Sequence, residues 1–219
     1  MSAWLSVVGI GEDGLAGLSQ AARTIIAAAE VLVGGKRHHA FVPETGALRV
    51  EWASPLALTL DALETYRGKR VVVLASGDPM WFGVGATLAR RFGTDALHIL
   101  PHVSAYALAA ARLAWPLGDT GKITIHGRPL AALAVHLHDR ARLIVLTHDG
   151  ASPAAVAKLL VANGYGKSRL VALERLGGPA ERALSGIAQD WPHEDVNDLN
   201  TLAIECVAGP DARRLSRLA

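Results

Sequence analysis

The chain has 219 residues, 51% hydrophobic and 19% charged, with a mean hydropathy of +0.27; intrinsic disorder is excluded and a substantial core is allowed. Lys and Arg number 22 against 20 Asp and Glu, a net charge of +2, and aromatics make up 5%, so neither a basic nucleic-acid face nor a row of stacking platforms is expected. Cys206 is the single cysteine, which excludes an internal disulfide framework and a CxxC metal or redox motif.

Leu5–Ile10 reads as a short strand that runs into glycines, and Leu18–Ala29, rich in alanine and free of Pro and Gly, as a helix. Val31–Val33 is a brief strand stopped by Gly34-Gly35, Arg49–Trp52 another, and Leu58–Tyr66 a helix. Arg70–Ala75 is the strongest strand, apolar on both faces as a parallel strand covered by helices should be. Gly83–Phe92 reads as a helix, Ala96–Leu100 as a strand and Ser104–Leu113 as a helix. This alternation predicts an α/β layer structure.

Pro and Gly cluster in Trp115–Gly121, which places a domain boundary there, with domains over 1–116 and 117–219. A second set of elements follows: a strand over Ile123–Ile125, a helix over Leu130–Leu137, an apolar strand over Leu143–Thr147, and a helix over Ala151–Asn163 with Ser152 as N-cap and Pro153 at its first position. Arg169–Leu173 is a strand, Pro179–Asp190 a turn plus helix, and Thr201–Val207 a last strand; Pro210–Ala219 is polar and expected to be loose. The chain start carries no basic region or cleavage site, and no stretch of about 18 apolar residues occurs, so a cytoplasmic protein with no membrane segment is expected.

Three loops could carry chemistry. Glycines at 9, 11 and 14 match G-x-G-x-x-G between a strand and a helix, where they permit a tight turn and close approach of a ligand. A dinucleotide reading also wants an acidic residue closing the second strand, where this chain has Gly34-Gly35-Lys36-Arg37, and Glu12 and Asp13 inside the loop would repel a pyrophosphate. A ligand-free glycine turn is the alternative. Ala75–Gly83 follows the best buried strand, and ligands of open α/β sheets bind outside the carboxyl ends of strands. There Gly77 permits an unusual backbone angle, Pro79 fixes the turn, and Asp78 could simply cap it. Pro101–Ala105 again follows a strand and opens a helix, with Ser104 a possible N-cap.

In order and spacing, Val8–Gly14, Gly77-Asp78-Pro79 with Gly83, and Pro101–Ala105 resemble the tetrapyrrole methylase family, whose members use S-adenosylmethionine on porphyrinoid rings. Leu143–Thr147 with the Ser152-Pro153 helix, Glu174–Arg182 and Asn200–Glu205 extend the resemblance over nearly the whole chain, toward the branch that methylates a late precorrin at meso carbon 5 in cobalamin ring synthesis. In some organisms that branch is fused to a methyltransferase that handles carbon 15 and a decarboxylation. The chain departs from the pattern at Gly11-Glu-Asp-Gly14, where many members read Gly-Pro-Gly-Asp, and at His102, where many have Gly.

The resemblance implies two α/β domains with the cofactor held in a kinked shape between them, a homodimer, and a tetrapyrrole partner. It implies cofactor contacts from Ser76, Gly77, Asp78 and Gly83, from Ser104 and Ala105, and from Leu146, with Ala172, Asn200 and Thr201 closing the pocket. Gly9 and Gly11 would face the ring, and Arg37, His38 and His102 are candidate contacts to its carboxylates, each equally readable as a solvated surface residue. No residue is expected to act as an essential base, because the methyl donor arrives activated. No metal is expected: His38 and His39 are adjacent, His136 and His138 are two apart, and H-E-x-x-H is absent. Alternatives are a methylase of the same fold acting at another ring carbon, an NADP-binding oxidoreductase using Gly9, Gly11 and Gly14 with Lys36 and Arg37 on the phosphate, and a corrinoid-binding protein without a cofactor pocket.

Overall fold

A computed structural model describes residues 3–213, which divide into two compact units, the first ending at Ser104 and the second beginning at Ala105. In the first unit the elements are β1 (Leu5–Ile10), α1 (Gln20–Ala27), β2 (Val31–Gly34), α2 (Lys36–Ala40), β3 (Leu48–Glu51), α3 (Leu56–Glu64), β4 (Val71–Ser76), α4 (Val84–Phe92) and β5 (Leu97–Leu100). The five strands form one parallel sheet in the order β3-β2-β4-β1-β5.

The two-residue period of a strand sorts its side chains onto two faces. Leu5, Val7, Val33, Val71 and Val73 pack with Leu60 and Leu63 of α3 and Leu88 of α4 on one side. Val8, Ile10, Leu32, Val72 and Leu74 pack with Ala22 and Ile26 of α1 on the other. Continuous apolar runs such as Val71–Ala75 follow directly, since a doubly covered strand has no solvent face. Ser19 caps α1 by accepting the Ala22 N–H at 3.2 Å.

The second unit holds α5 (Ala105–Leu113), β6 (Gly121–Thr124), β7 (Arg142–Leu146), α6 (Ser152–Ala162), β8 (Arg169–Glu174), β9 (Arg182–Ile187) and β10 (Asn200–Glu205). Its sheet runs β6-β7-β10-β8-β9, parallel between β6 and β7 and antiparallel elsewhere. Val156, Ala157 and Leu160 of α6 cover one face, against Leu143, Val145, Leu170, Ala172, Leu202 and Ile204. Tyr106, Ala109 and Ala110 of α5 cover the other, against Ile144, Val171, Leu173 and Ala203.

The units therefore divide about a dozen residues before the Pro/Gly cluster at 115–121. The apolar face of α5 belongs to the second sheet, so the helix goes with that sheet, and the cluster is only the α5–β6 connection. Three local expectations also change. Pro179–Asp190 holds the edge strand β9, not a helix: Arg182 to Ile187 pair with β8, and only 188–190 make a single 3-10 turn. Leu130–His136 is a 3-10 segment. Ser152 lies inside α6, where Asp149 Oδ1 accepts the N–H groups of Ala151 and Ser152 at 3.0 Å each, while the Ser152 hydroxyl accepts those of His148 and Asp149. The reading of Pro210–Ala219 falls in part outside the described residues.

Candidate functional site

The carboxyl ends of β1, β2, β4 and β5 lie along one edge of the first sheet, and four loops meet there. Gly77, at φ +56, leaves β4 in the left-handed region that glycine enters without strain. Its N–H donates to the Ile10 carbonyl at 3.0 Å, and its own carbonyl accepts the His102 N–H at 3.2 Å. The turns after β1, β4 and β5 are thus stitched together through backbone alone. Gly9 lies beneath this junction: a Cβ there would stand 2.0 Å from the Gly77 oxygen and 2.6 Å from the His102 nitrogen. At Gly11 a Cβ would meet Asp13 Oδ1 at 2.7 Å and the His102 ring at 3.2 Å.

Asp78 Oδ1 accepts the Met80 N–H at 2.9 Å, an Asx turn that shapes the loop. Pro79 contributes its carbonyl to the Gly85 N–H at 2.9 Å. A Cβ on Gly83 would lie 2.5 Å from that carbonyl, which explains the glycine at the start of α4. Phe82 has φ +55, an unfavourable angle for an aromatic residue, and Met80, Trp81 and Phe82 are all exposed.

Charged groups gather on the same edge. Arg37, on α2, pairs with Glu12 of the β1 loop and donates from Nη2 to Ser76 Oγ at 2.7 Å. His38 Nε2 lies 3.0 Å from the same oxygen, and His38 Nδ1 accepts the Gly35 N–H at 3.4 Å. Burial, then the neighbouring Arg37 and His39, push the His38 imidazole down to about 4, so it is neutral at pH 7. His102 Nε2 lies 3.3 Å from Asp13 Oδ1. Six of the sequence candidates (Ser76, Gly77, Gly9, Arg37, His38 and His102) therefore share one network or backbone junction. Glu12 and Asp13, which sequence reading treated only as an obstacle to phosphate, are its anionic members. Two acids inside a glycine loop were the available signal. Arg37, which the NADP reading places on a phosphate, is already engaged by Glu12 and Ser76.

Leu146, Ala172, Asn200 and Thr201 lie on the adjacent strands β7, β8 and β10 of the second unit, where Thr201 pairs with Leu146 and Leu202 with Ala172. Strand alternation separates their side chains. Leu146 lies with the α5-covered core, whereas Ala172 is fully buried against the α6 side. Ala172 could therefore offer a ligand only its backbone. Asn200 is buried; its Nδ2 donates to the carbonyls of Asp149 (3.0 Å) and Asn197 (2.8 Å), and its Oδ1 has no partner among the described residues. Thr147 Oγ1 donates to the Asn200 carbonyl at 2.6 Å. Sequence reading missed a groove of about 530 Å³ beyond β6 and β7, lined by residues that include Arg128, Pro129, His148 and Asp149. Ser104 ends the first unit and Ala105 opens α5.

The family model described as Tetrapyrrole (Corrin/Porphyrin) Methylases matches residues 5–190. The chain is 48% identical over 217 residues to a precorrin-6Y C(5,15)-methyltransferase (decarboxylating) of Sinorhizobium sp, covering 98% of this chain and 52% of that protein. It is 33% identical over 178 residues to a cobalt-precorrin-7 C(5)-methyltransferase of Salmonella typhimurium, covering 81% of this chain and 88% of that protein. Among solved structures, the methyltransferase CobJ aligns over 98% of both chains with a TM-score of 0.73 at 22% identity. The chain spans about half the length of the C(5,15) relative it matches.

Proposed function

The chain belongs to the tetrapyrrole (corrin/porphyrin) methylase family, and from that premise we propose that it transfers a methyl group from S-adenosylmethionine to carbon 5 of a late precorrin, at the precorrin-6B or cobalt-precorrin-7 stage of cobalamin biosynthesis. One observation carries the choice of carbon: the same segment matches half of a relative named for carbons 5 and 15 and 88% of a relative named for carbon 5 alone. Carbon 5 is what the two names share.

The residues present suit the methyl donor. Gly77 opens the backbone for close approach, Ser76 offers a hydroxyl at an exposed strand end, and the buried Asn200 Oδ1 is an acceptor awaiting a donor. In this reading Ser76, Gly77 and Asp78, with Gly83, Ser104 and Ala105, are cofactor contacts, and so are Asn200, Thr201, Leu146 and the Ala172 backbone. The bound donor supplies an activated methyl on a sulfonium. The chain's own work is to align and desolvate the partners, which can supply roughly 7–11 kcal/mol of a barrier. The space at Gly9 is taken by the Gly77 carbonyl and the His102 nitrogen, and that at Gly11 by Asp13 and the His102 ring, so these glycines serve the loop junction and do not face the tetrapyrrole. His38 and His102 are the proposed contacts to ring carboxylates, beside an Arg37 held by Glu12 and Ser76.

The proposed partners are a tetrapyrrole, a second copy of the chain, and a carbon-15 methyltransferase and decarboxylase, fused or separate. The setting is cytoplasmic; among the described residues no helix is long and apolar enough to cross a membrane.

Incubation with isotopically labelled S-adenosylmethionine and the precorrin should add one methyl, placed at carbon 5 by NMR. A methyl at another ring carbon would replace this assignment with another methylase of the fold. Stabilisation by NADPH and not by S-adenosylhomocysteine in a thermal-shift titration would discard methyl transfer altogether.

A further inference from the structure

The groove of about 530 Å³ in the second unit sits at the carboxyl ends of its two parallel strands, β6 and β7, and is lined by none of the residues proposed to hold the cofactor. Its size suits a small-molecule site. One wall is the loop after β6. Ile125 extends the ladder by donating its N–H to the Leu146 carbonyl at 2.9 Å. The chain then turns through Gly127, at φ +67, and the Arg128 N–H donates back to the Ile125 carbonyl at 3.2 Å. The other wall is the loop after β7, where the Ser152 hydroxyl accepts the N–H groups of His148 and Asp149 at 3.1 and 3.2 Å. Both walls are set by hydrogen bonds within the chain, so little ordering is left for a ligand to impose.

The lining combines two chemistries. Ile125, Pro129, Leu130, Ala151 and Ala155 give it apolar contact. Arg128 and His148, both exposed, bring donors to it, and the centroid of the His126 ring, from the first loop, lies 5.4 Å from that of the His148 ring. A guanidinium is always cationic, and an imidazole keeps at least one N–H in any protonation state. Asp149 is the one acid among the described residues of the lining. Its Oδ1 already accepts the N–H groups of Ala151 and Ser152 and the Ser152 hydroxyl, each at 3.0 Å. The groove therefore fits an occupant with an apolar body and an anionic arm.

We infer that this groove seats one edge of the tetrapyrrole, with a ring acetate or propionate on Arg128 and His148. The inference rests on the methyltransferase reading for the identity of the ligand. A precorrin carries carboxylate arms on apolar pyrrole-derived rings, the complement of this lining, and a guanidinium binds a carboxylate through two parallel bonds. The methyl donor does not match: its sulfonium and zwitterionic amino acid sum to a positive charge, which Arg128 repels. A macrocycle of four substituted rings is larger than the groove, so one edge enters and the rest stays outside. The groove is also joined to the proposed cofactor contacts of the same unit. The Leu146 carbonyl holds Ile125, and Asn200 Nδ2 holds the Asp149 carbonyl at 3.0 Å. A ring edge seated here lies next to the strands that carry those contacts.

The experiment uses the full chain, with uroporphyrin, a flat tetrapyrrole bearing carboxylates on every ring, as the binding probe. The ring signals of His126 and His148 are followed by proton–carbon NMR as uroporphyrin is added to the wild type. Both should move and saturate; no binding, or binding that leaves both rings unmoved, overturns the inference. Arg128→Gln and Arg128→Lys are then compared by uroporphyrin titration, by calorimetry with S-adenosylhomocysteine, and by steady-state kinetics with the precorrin. Arg128→Gln should weaken uroporphyrin about tenfold and raise KM for the precorrin about as much, with kcat little altered, S-adenosylhomocysteine bound as before, and part of the loss recovered in Arg128→Lys. His148→Gln should act in the same direction and serves where an Arg128 variant does not fold. A matching loss of S-adenosylhomocysteine affinity would make the groove part of the cofactor site and refute the inference. Unchanged uroporphyrin affinity and KM would refute it too, and both results leave the methyltransferase reading intact. A wild-type chain that binds no S-adenosylhomocysteine and transfers no methyl refutes that reading instead, while the NMR titration still decides whether the groove takes a tetrapyrrole.

Discussion

His102 donates its backbone N–H to the carbonyl of Gly77 across 3.2 Å, and this bond joins the turn after β5 to the turn after β4 directly above Gly9. No side chain is involved, so the junction tolerates change in the residues around it but not a side chain at Gly9.

Gly9→Ala should therefore destabilise the first unit. Its new methyl would overlap backbone atoms at 2.0 and 2.6 Å, which cannot yield as a flexible side chain could. A loss of about 1–3 kcal/mol is expected from denaturant melts, with weaker binding of S-adenosylhomocysteine. Gly118→Ala, where a Cβ meets nothing within 4 Å, is the control and should stay within about 0.5 kcal/mol of wild type.

The His38 imidazole is held at about 4 against an ordinary 6.5, chiefly by burial and then by Arg37 and His39. Between those values the unfolded chain takes up a proton that the folded chain refuses, so stability falls as pH drops from about 6.5 toward about 4. Chemical denaturation at several pH values should show a shallower fall across this window for His38→Gln than for wild type. Parallel slopes would mean that His38 titrates normally.

Glu174 is buried at the end of β8, where Arg182 grips it through two nitrogens at 2.7 and 3.0 Å and the Asn197 N–H donates to it at 2.9 Å. The Arg182 bond, opposed by burial and helped by Asn197, lowers its proton affinity below the ordinary 4.5. This stabilisation is present above about 4.5 and is lost as pH falls through the lower folded value. Glu174→Ala should cost about 1–3 kcal/mol at pH 7, mostly by leaving the Asn197 N–H unpaired, and the cost should shrink in acid.

Burial pushes the Cys206 thiol up to about 12. Only thiolate reacts readily, so the native chain should be modified by a disulfide reagent at pH 8 about a hundredfold or more slowly than the denatured chain. Fast labelling under native conditions would show that the end of β10 opens.

Tyr106 donates its hydroxyl to the Ile123 carbonyl at 2.6 Å, tying α5 to β6. Tyr106→Phe should cost about 1 kcal/mol. Hydrogen exchange should locate the loss in α5 and β6; a loss confined to the parallel sheet would contradict the assignment of α5 to the second unit.

Strands whose both faces are covered could be read directly from composition. Val71–Ala75 and Leu143–Val145 admit no other element, because an unbroken β-branched and leucine run must be buried on two sides. The turn at Gly77-Asp78-Pro79 was equally plain, since Gly and Pro act on the backbone angles of their own residues. β9 was not legible. Its apolar positions are too sparse to show a two-residue period, and it is a strand because β8 offers an unpaired edge and Glu174 anchors Arg182 across the pair. The capping of α6 went to Asp149 because its carboxylate reaches two N–H groups that the Ser152 hydroxyl cannot.

The chain's local chemistry is enough to specify the alternation of strands and helices, the sharp turn after β4 and the cationic candidates Arg37 and His38, while Ser76 became a candidate through the motif resemblance. Their meeting is another matter. Ser76 is nearly forty residues from Arg37 and His38, and they touch because β4 inserts beside β2 in the sheet, bringing the end of one strand to the helix that follows the other. Strand order depends on how the layers pack over the whole unit, so the meeting of Ser76 with Arg37 and His38, the neutrality of His38 and the pairing of Glu12 are properties of the folded molecule and are written in no single segment of it.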